Sequence, residues 1–204
     1  MRKTFLSVSA LALAALAILV GGAAAQRPAP PADSARKNYT PADVHFMTGM
    51  IAHHAQAVLM ASWAPTHGAS ASLRALCERI VVGQGDEINL MQRWLRDRHE
   101  MVPDGDASHD MMPGMAHDLM PGMLTPQQMM QLDSARGPEF DRLFLTFMIQ
   151  HHLGAITMVN DLFGSKGGGE EEIVFRFASD VYADQTTEIA RMNRMLDALK
   201  RSPS

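Results

Sequence analysis

Two histidine pairs at matching positions after a methionine are the first residues in this sequence that could do chemistry. They are Met50, His53 and His54, and then Met148, His151 and His152. Imidazole nitrogen suits copper and zinc alike, whereas methionine sulfur is a soft, neutral donor that prefers Cu(I). A mixed set of methionine and histidine therefore favours monovalent copper, with Ag(I) as its chemical mimic.

The composition agrees with a soft metal and excludes several other classes of protein. The 204 residues include 17 Met and 9 His but only 1 Cys. A single cysteine cannot form an internal disulfide or supply a thiolate cluster, which excludes disulfide scaffolds, structural zinc modules and iron–sulfur clusters. With 18 basic against 22 acidic side chains, the chain has no positive surplus to neutralise phosphates, so nucleic acid is not an expected partner.

The histidine pairs lie in an internal repeat. The aligned segments are 43–60 with 141–158, and 84–95 with 185–196. The first match has a constant offset of 98 residues and the second an offset of 101 residues. Further candidate residues are paired by the repeat: Met60 with Met158, Glu87 with Glu188, and Met91 with Met192. The protein is therefore predicted to be two copies of one helix pair.

Helix is the predicted structure for both segments of each copy, because apolar residues recur at spacings of three and four and no proline interrupts them. The predicted helices cover about residues 41–64, 70–99, 138–163 and 170–200, with a short extra helix after Thr125-Pro126. Neither pair could bury its apolar face alone. We therefore predict an all-α fold, a four-helix bundle over residues 38–200 built from repeat one (40–100) and repeat two (125–200).

Within each copy, methionine and histidine of the first helix are expected to face methionine and glutamate of the second. The candidate ligands on the helices are Met50, His53, His54, Met60, Glu87, Met91, Met148, His151, His152, Met158, Glu188 and Met192. Two roles stay open for Glu87 and Glu188, which either bind the metal or accept hydrogen bonds that orient the histidines. Two roles also stay open for the methionines, because a flexible thioether at helical spacing is a good core filler.

Between the copies, residues 101–124 have no periodic pattern and form a long loop rich in Met and His. This loop has a short repeat of its own, His109-Asp-Met-Met-Pro-Gly-Met115 and then His117-Asp-Leu-Met-Pro-Gly-Met123. Its candidate ligands are His109, Met111, Met112, Met115, His117, Met120 and Met123. Core packing is not expected for these residues. Metal capture is the leading interpretation of the loop, and a solvated linker is the alternative.

Several residues of the same types have no partner in the other copy. His45, His67 and His99 are expected on the surface for this reason. Cys77 lies in the middle of a predicted helix and is expected to pack as a small apolar residue. Met47 is replaced by Leu145 in the second copy, so any site that used Met47 would exist only once.

The N-terminal segment has the pattern of a secretory signal peptide. Arg2 and Lys3 precede an apolar run over residues 5–20, and Ala23-Ala24-Ala25 offers a cleavage site of small residues. Residues 1–25 are therefore predicted to be removed, and a Pro- and Ala-rich tail over 26–37 to precede the bundle. The mature chain is expected to begin at about Gln26, to be periplasmic or secreted, and to have no membrane span after cleavage.

The doubled motif resembles a bacterial family known as "domain of unknown function 305". The resemblance rests on the Met-Ile-x-His-His segments within 46–60 and 144–158, the Gln-x-x-Glu-Ile-x-x-Met segments that end at Met91 and Met192, and the Met120-Pro-Gly-Met123 stretch. It covers about residues 38–200. This resemblance implies a ferritin-like fold, and because the family includes periplasmic copper-binding CopM-like proteins, it also implies copper binding or tolerance.

Three classes of function follow from these residues. The leading hypothesis is a non-enzymatic exported protein that captures, buffers or traffics Cu(I), with the metal ion and another exported copper-handling protein as partners. A ferritin-like di-metal oxidase requires Glu-x-x-His motifs; they are absent, since Leu90 and Arg191 lie three residues after Glu87 and Glu188. The third class is an interaction module whose Met-rich surface binds peptides or proteins. No enzymatic activity is expected.

Overall fold

The computed structural model describes residues 38–106 and 119–201 and is all-helical over these ranges. Its helices are α1 (Pro41–Ser62), α2 (Ala71–Asp97), α3 (Pro126–Ser134), α4 (Pro138–Gly164) and α5 (Glu172–Arg201). The predicted bounds of the four long helices and the short extra helix α3 are confirmed to within about two residues. Residues 1–37, with the predicted signal peptide and tail, lie outside the described residues. The loop candidates His109, Met111, Met112, Met115 and His117 lie outside them too, so their role as ligands stays a prediction.

The helix starts follow the capping chemistry of the sequence. Thr40 caps α1, since its hydroxyl accepts a hydrogen bond from the Asp43 backbone amide while the Asp43 carboxylate accepts one from the Thr40 amide at 2.7 Å. Thr125 and Gln128 form the same reciprocal box at the start of α3. Both boxes are followed by a proline at the first helical position, where no intrahelical hydrogen bond is lost.

The inner helices α1 and α4 pack against each other, α2 packs on α1, and α5 packs on α4. Residues around most of the circumference of α1 and α4 are buried, whereas α2 and α5 bury one face each. This difference places the residues of α1 and α4, including both histidine pairs, at the centre of the molecule. The outer helices, α2 and α5, cover α1 and α4 from the outside.

Two buried aspartates tie each copy to the other. Asp43 on α1 accepts a hydrogen bond from the amide of Gly169, which precedes α5, at 2.7 Å. Asp141 on α4 accepts one from the amide of Ser70, which precedes α2, at 3.1 Å. The first helix of each repeat therefore anchors the loop before the second helix of the other repeat, so the two helix pairs interlock.

None of the helices in the described ranges combines the length and the apolar character that a membrane crossing requires.

Candidate metal centre

The imidazole rings of His53 on α1 and His151 on α4 meet in the middle of the bundle. Their centroids are 3.8 Å apart with the ring planes tilted by 39°. His53 is 0% and His151 is 1% exposed. The sequence predicted no contact between His53 and His151, and the structure brings the two rings together. The reason is that α1 and α4 are neighbours, so equivalent positions of the two copies face each other.

The ring nitrogens of these two histidines are largely without hydrogen bonds. His53 Nε2 lies 3.0 Å from the carbonyl oxygen of Pro121, so this nitrogen carries the proton and donates. His53 Nδ1 has no hydrogen-bond partner, and neither ring nitrogen of His151 makes a hydrogen bond of good geometry, although the His53 backbone lies near the His151 ring. At least one nitrogen of each neutral ring therefore keeps a free lone pair in the buried interior.

Burial also keeps these rings neutral. It lowers the pKa of His53 to about 3, and the neighbouring His54 contributes to this lowering. Burial lowers the pKa of His151 well below its usual value, with His53 as the next largest cause. Because metals bind the unprotonated imidazole, both rings are in the ligating form across the physiological range of pH.

The second histidine of each pair meets a glutamate from the outer helix of its own repeat, as the sequence predicts. His152 Nε2 lies 2.7 Å from Glu188 Oε2 and donates to it. His54 Nε2 lies 2.8 Å from Glu87 Oε2, although the angle falls short of a hydrogen bond. Burial lowers the pKa of His152, and the hydrogen bond to Glu188 opposes this effect. In both rings the Nδ1 atom is buried without a hydrogen-bond partner.

The repeated methionines are buried in the core of the bundle. Met50, Met60, Met91, Met148 and Met192 are 0% exposed, and Met158 is 8% exposed. They divide between two apolar clusters, one with Met50, Met91 and Met158 and the other with Met60, Met148 and Met192. Each cluster draws methionines from both copies, so a thioether site here would not belong to one repeat. The unpaired Met47 and Met129 are also fully buried, and Met101 is exposed.

The end of the central loop packs on the bundle, against the sequence expectation for Met123, which is only 7% exposed. The cause is a close backbone approach at two glycines. Gly122 has a φ of +78°, and a side chain at Gly154 of α4 would collide with the carbonyl of Pro121. Gln56 then holds the chain beyond this point through two hydrogen bonds to the Leu124 backbone, at 2.7 and 3.1 Å. Gln56 is a residue of the site that no repeat or motif identified, and Pro121, although part of the loop motif, was not expected to contact a histidine.

An open cleft of about 560 Å³ separates α2 from α5 above the histidines. Its acidic lining residues are Glu78, Glu87, Asp184 and Glu188, and Arg79 is its basic residue. Burial raises the pKa of Asp184, and the nearby Glu87 and Glu188 raise it further. Four carboxylates against one guanidinium group give the cleft a net negative charge. The repeat could not identify Asp184, because its counterpart in the first copy is Gly83.

Cys77 and His67, two other side chains of metal-binding types, pack in the core or bond to neighbouring residues. Over 38–106 and 119–201, no three side chains of His, Cys, Asp or Glu converge as a metal site. Cys77 is buried as predicted, and burial raises the pKa of its thiol to about 12. The expectation of a surface position is wrong for His67, which is 5% exposed. His67 is held because its Nε2 lies 2.8 Å from the Asp133 carbonyl oxygen and its ring stacks on Trp63.

Comparisons with known proteins agree with the fold and the repeated motif. A family model described as "Domain of unknown function (DUF305)" matches residues 43–196. Among solved structures, the chain is similar to a DUF305 fragment from Deinococcus radiodurans, with 25% identity and a TM-score of 0.66 over 78% of this chain and 98% of that one. It is similar to a protein from Streptomyces coelicolor described as a secreted DUF305 protein, with 26% identity and a TM-score of 0.64 over 80% of this chain and 95% of that one.

The chain is also similar to CopM in its Cu(II)-bound form, with 27% identity and a TM-score of 0.61 over 76% of this chain and 96% of that one. CopM in Cu(I)-bound and Ag-bound forms matches at 25% identity. No match was found among curated proteins.

Proposed function

The chain belongs to the DUF305 family, and from this premise we propose that it is an exported, non-enzymatic protein that captures Cu(I), with Ag(I) as a chemical mimic. Its role in copper tolerance is to buffer the ion or to pass it to another exported copper-handling protein. The metal is therefore the cargo of this protein.

The observation that carries the proposal is the set of buried imidazole nitrogens without hydrogen bonds. His53 Nδ1 and both ring nitrogens of His151 belong to it. A polar atom left unsatisfied in a protein interior costs about 1–3 kcal/mol. A bound metal ion would satisfy the one lone pair that each neutral ring keeps, and ring centroids 3.8 Å apart bring one donor from each copy close together.

The types of donor favour a monovalent, soft ion. Met50 and Met148 lie one helical turn before His53 and His151, so their side chains share a helix face with the rings. Thioether and neutral imidazole supply no negative charge. Because the cost of burying an ion rises with its charge, a neutral donor set in a dry interior suits Cu(I) or Ag(I) better than a divalent ion.

The two glutamates fit the orienting role better than direct binding. Glu87 lies 2.8 Å from His54 Nε2, and Glu188 lies 2.7 Å from His152 Nε2. A proton on Nε2 that is shared with a carboxylate leaves Nδ1 with the free lone pair, and such a partner fixes the ring and makes it more basic. Glu188 therefore keeps the proton on His152 Nε2 and leaves Nδ1 to bind the metal, and Glu87, 2.8 Å from His54 Nε2, favours the same form of His54.

The acidic cleft between α2 and α5 supports access for a cation. It is open to solvent, and its lining includes Glu87 and Glu188, which contact the buried histidines. A cleft lined by carboxylates raises the local concentration of cations and so speeds their capture. This gives a positively charged ion a path toward a centre that is itself uncharged.

Similar proteins and the N-terminal sequence support copper as the cargo and export as the location. CopM, at 25–27% identity, has been solved with Cu(I), Cu(II) and Ag. The similar protein from Streptomyces coelicolor is described as secreted, and residues 1–25 of this chain have the pattern of a signal peptide. Copper as cargo and export as location are thus consistent with each other.

An anaerobic Cu(I) titration against a competing chelator tests the proposal. The variants are His53→Leu and His151→Leu, which remove the lone pairs while filling the same space. We expect each to lose the tightest class of bound Cu(I), with an affinity at least about tenfold weaker, or roughly 1.4 kcal/mol. The matched control is His99→Asn, because His99 is an exposed histidine with a φ of +56° that asparagine tolerates.

Two other results would change the conclusion. Cu(I) binding that is equal in the parent and in both leucine variants would contradict the buried centre. If binding were then lost only on changing His109 and His117 to alanine, the central loop would be the site instead. Oxygen consumption that depends on added iron would contradict the non-enzymatic role and favour the di-metal oxidase. Binding of peptides without metal would favour an interaction module.

A further inference from the structure

A second cavity lies away from the buried histidines, between the start of α1, the end of α4 and the segment 120–121. It has a volume of about 350 Å³. Its walls are mainly apolar, and the lining residues that can bind a metal are His45, Met120, Met158 and Asp161. His45 and Asp161 are exposed, so this cavity is open to solvent where the central histidines are not.

The ends of the Met120 and Met158 side chains meet over α1 at Gly49. A methyl group placed on Gly49 would lie 3.3 Å from Met120 Sδ, 3.1 Å from Met120 Cε and 3.4 Å from Met158 Cε. His45 lies four residues before Gly49 and therefore on the same helix face. Because Gly49 has no side chain, the ends of both methionines lie against α1, and they line the same cavity as His45.

We propose that His45, Met120 and Met158 form a second site for Cu(I) or Ag(I), open to solvent and distinct from the buried centre. One imidazole nitrogen and two thioether sulfurs are a donor set that prefers a soft monovalent ion. Asp161, on the turn of α4 after Met158, adds negative charge at the rim. This inference rests on the proposed function, because both sites take the same cargo.

Over residues 38–106 and 119–201 the site has no counterpart at the other end of the bundle, although the fold is a repeat. At the repeat offset of 98 residues, the counterparts of His45 and Gly49 are Leu143 and Phe147. Both counterparts are apolar and buried, so the second copy has neither the nitrogen donor nor the space. Ordinary core filling by repeated methionines would give the same environment at both ends of the bundle. The combination of a histidine, a glycine and two methionines is therefore specific to the end of the bundle where segment 120–121 packs.

The position of the site gives it a role in loading. Met120 is followed by Pro121, whose carbonyl oxygen accepts the hydrogen bond from His53. The segment that supplies one ligand of the open site therefore also contacts the buried centre. Because the open site is reached directly from solvent, it is the site that a metal ion occupies first.

Methyl NMR of the purified protein labelled with ¹³C at the methionine methyl groups tests this site, with Ag(I) as the probe. We expect the Met120 and Met158 signals to shift in the first spectra recorded after Ag(I) is added, and those of Met50 and Met148 to follow later, because the open site is reached directly from solvent and the buried centre is not. Met120→Leu should abolish the early shift of Met158, and His45→Ala should weaken Ag(I) binding there about tenfold or more. Gly49→Ala, which removes no ligand, should weaken it as well because the new methyl displaces the thioethers.

The controls separate this inference from the proposed function. Met130→Leu replaces an exposed methionine on α3 and should leave the Met158 shift unchanged, and the thermal melt of each variant checks folding. If Met50 and Met148 shift while Met120 and Met158 do not, the second site is wrong and the buried centre stands. If no methionine methyl responds to Ag(I), both are wrong. An unchanged affinity in His45→Ala would overturn the role of His45.

Discussion

His53 and His151 occupy equivalent positions of the two repeats, and their rings lie 3.8 Å apart at the junction between them. Neither ring is in contact with solvent, and between them they hold three nitrogen atoms without hydrogen bonds. A pair of this kind contributes little to folding, because desolvating an imidazole without a partner is unfavourable. The arrangement is instead typical of a binding site, in which a ligand supplies the partners that the two rings lack.

The first prediction is that His151→Leu does not destabilise the metal-free protein. Leucine fills a similar volume and removes two buried nitrogens that have no partner. Replacing such a group with an apolar one of similar shape is close to neutral or stabilising. We expect the free energy of unfolding in the presence of a chelator to stay equal or to rise by about 1 kcal/mol. Urea denaturation measures it, and a loss above about 2 kcal/mol would indicate a purely structural histidine.

The second prediction concerns Glu188→Gln. The amide keeps the shape of the carboxylate but loses the charge that holds the proton on His152 Nε2. Partners of metal-binding histidines typically contribute about 10- to 100-fold in affinity, so we expect Cu(I) or Ag(I) binding to weaken by that order. Competition with a chelator measures the change. Glu172→Gln, at an exposed glutamate on the same helix, is the control and should have no effect.

The helices and the contacts within each repeat could be predicted from the sequence. The spacing of apolar residues predicted the four long helices, because a three-to-four period is a local property of the chain. The helical spacing of these residues predicted that histidine and glutamate of one copy face each other, and His54–Glu87 and His152–Glu188 do so because each pair lies within one helix hairpin. His53 and His151 could not be paired in this way, since their contact depends on which helices of the two copies are neighbours.

The residues of the central loop show which contacts the sequence could not predict. Nothing in the repeat pattern indicates that Pro121 lies on α4, because the contact depends on the absence of a side chain at Gly154, which comes later in the chain. The burial of Met123 and the convergence of Met120 on Gly49 follow from that contact. Small residues that allow a close backbone approach are recognised only when the other chain segment is known.

The third prediction tests this contact with Gly154→Ala. The added methyl would collide with the carbonyl of Pro121, so the segment 120–124 must leave α4. We expect a loss of about 1–3 kcal/mol in the free energy of unfolding and a thermal melt at lower temperature. The matched control is Gly85→Ala on α2, where nothing lies within 4 Å of the added methyl. That change should stabilise the protein by about 0.5–1 kcal/mol, as alanine does in a helix. Equal effects at the two positions would contradict the packing of the loop.

The fourth prediction is that Asp43→Asn destabilises the bundle. Both carboxylate oxygens accept hydrogen bonds, Oδ1 from the Gly169 amide and Oδ2 from Thr40. An asparagine amide has one acceptor oxygen, so one buried backbone N–H loses its partner, which costs about 1–3 kcal/mol. Chemical denaturation measures the loss. Asp197→Asn, at an exposed aspartate of α5, is the control, and an equal stability of the two variants would contradict the interlock.

The fifth prediction is that the metal-free protein loses stability as the pH falls below about 6.5. Burial lowers the pKa of His53 to about 3 and lowers the pKa values of His151 and His152. In the unfolded chain these residues take up protons near the ordinary histidine pKa of 6.5, whereas the folded chain does not. Their contribution to stability is therefore complete above pH 6.5 and is lost as the pH falls toward 3, at up to about 1.4 kcal/mol per pH unit for each histidine.

Urea denaturation at intervals between pH 7 and pH 4 measures this slope. The matched variant is His151→Leu, which has one fewer titrating histidine in the core. Its slope should be smaller than that of the parent by up to about 1.4 kcal/mol per pH unit. Because the stabilities of the two proteins depend differently on pH, the leucine variant gains on the parent as acid is added. Parallel curves for the two proteins would mean that His151 accepts a proton in the folded state, and its ring would then not be held in the neutral form that binds metal.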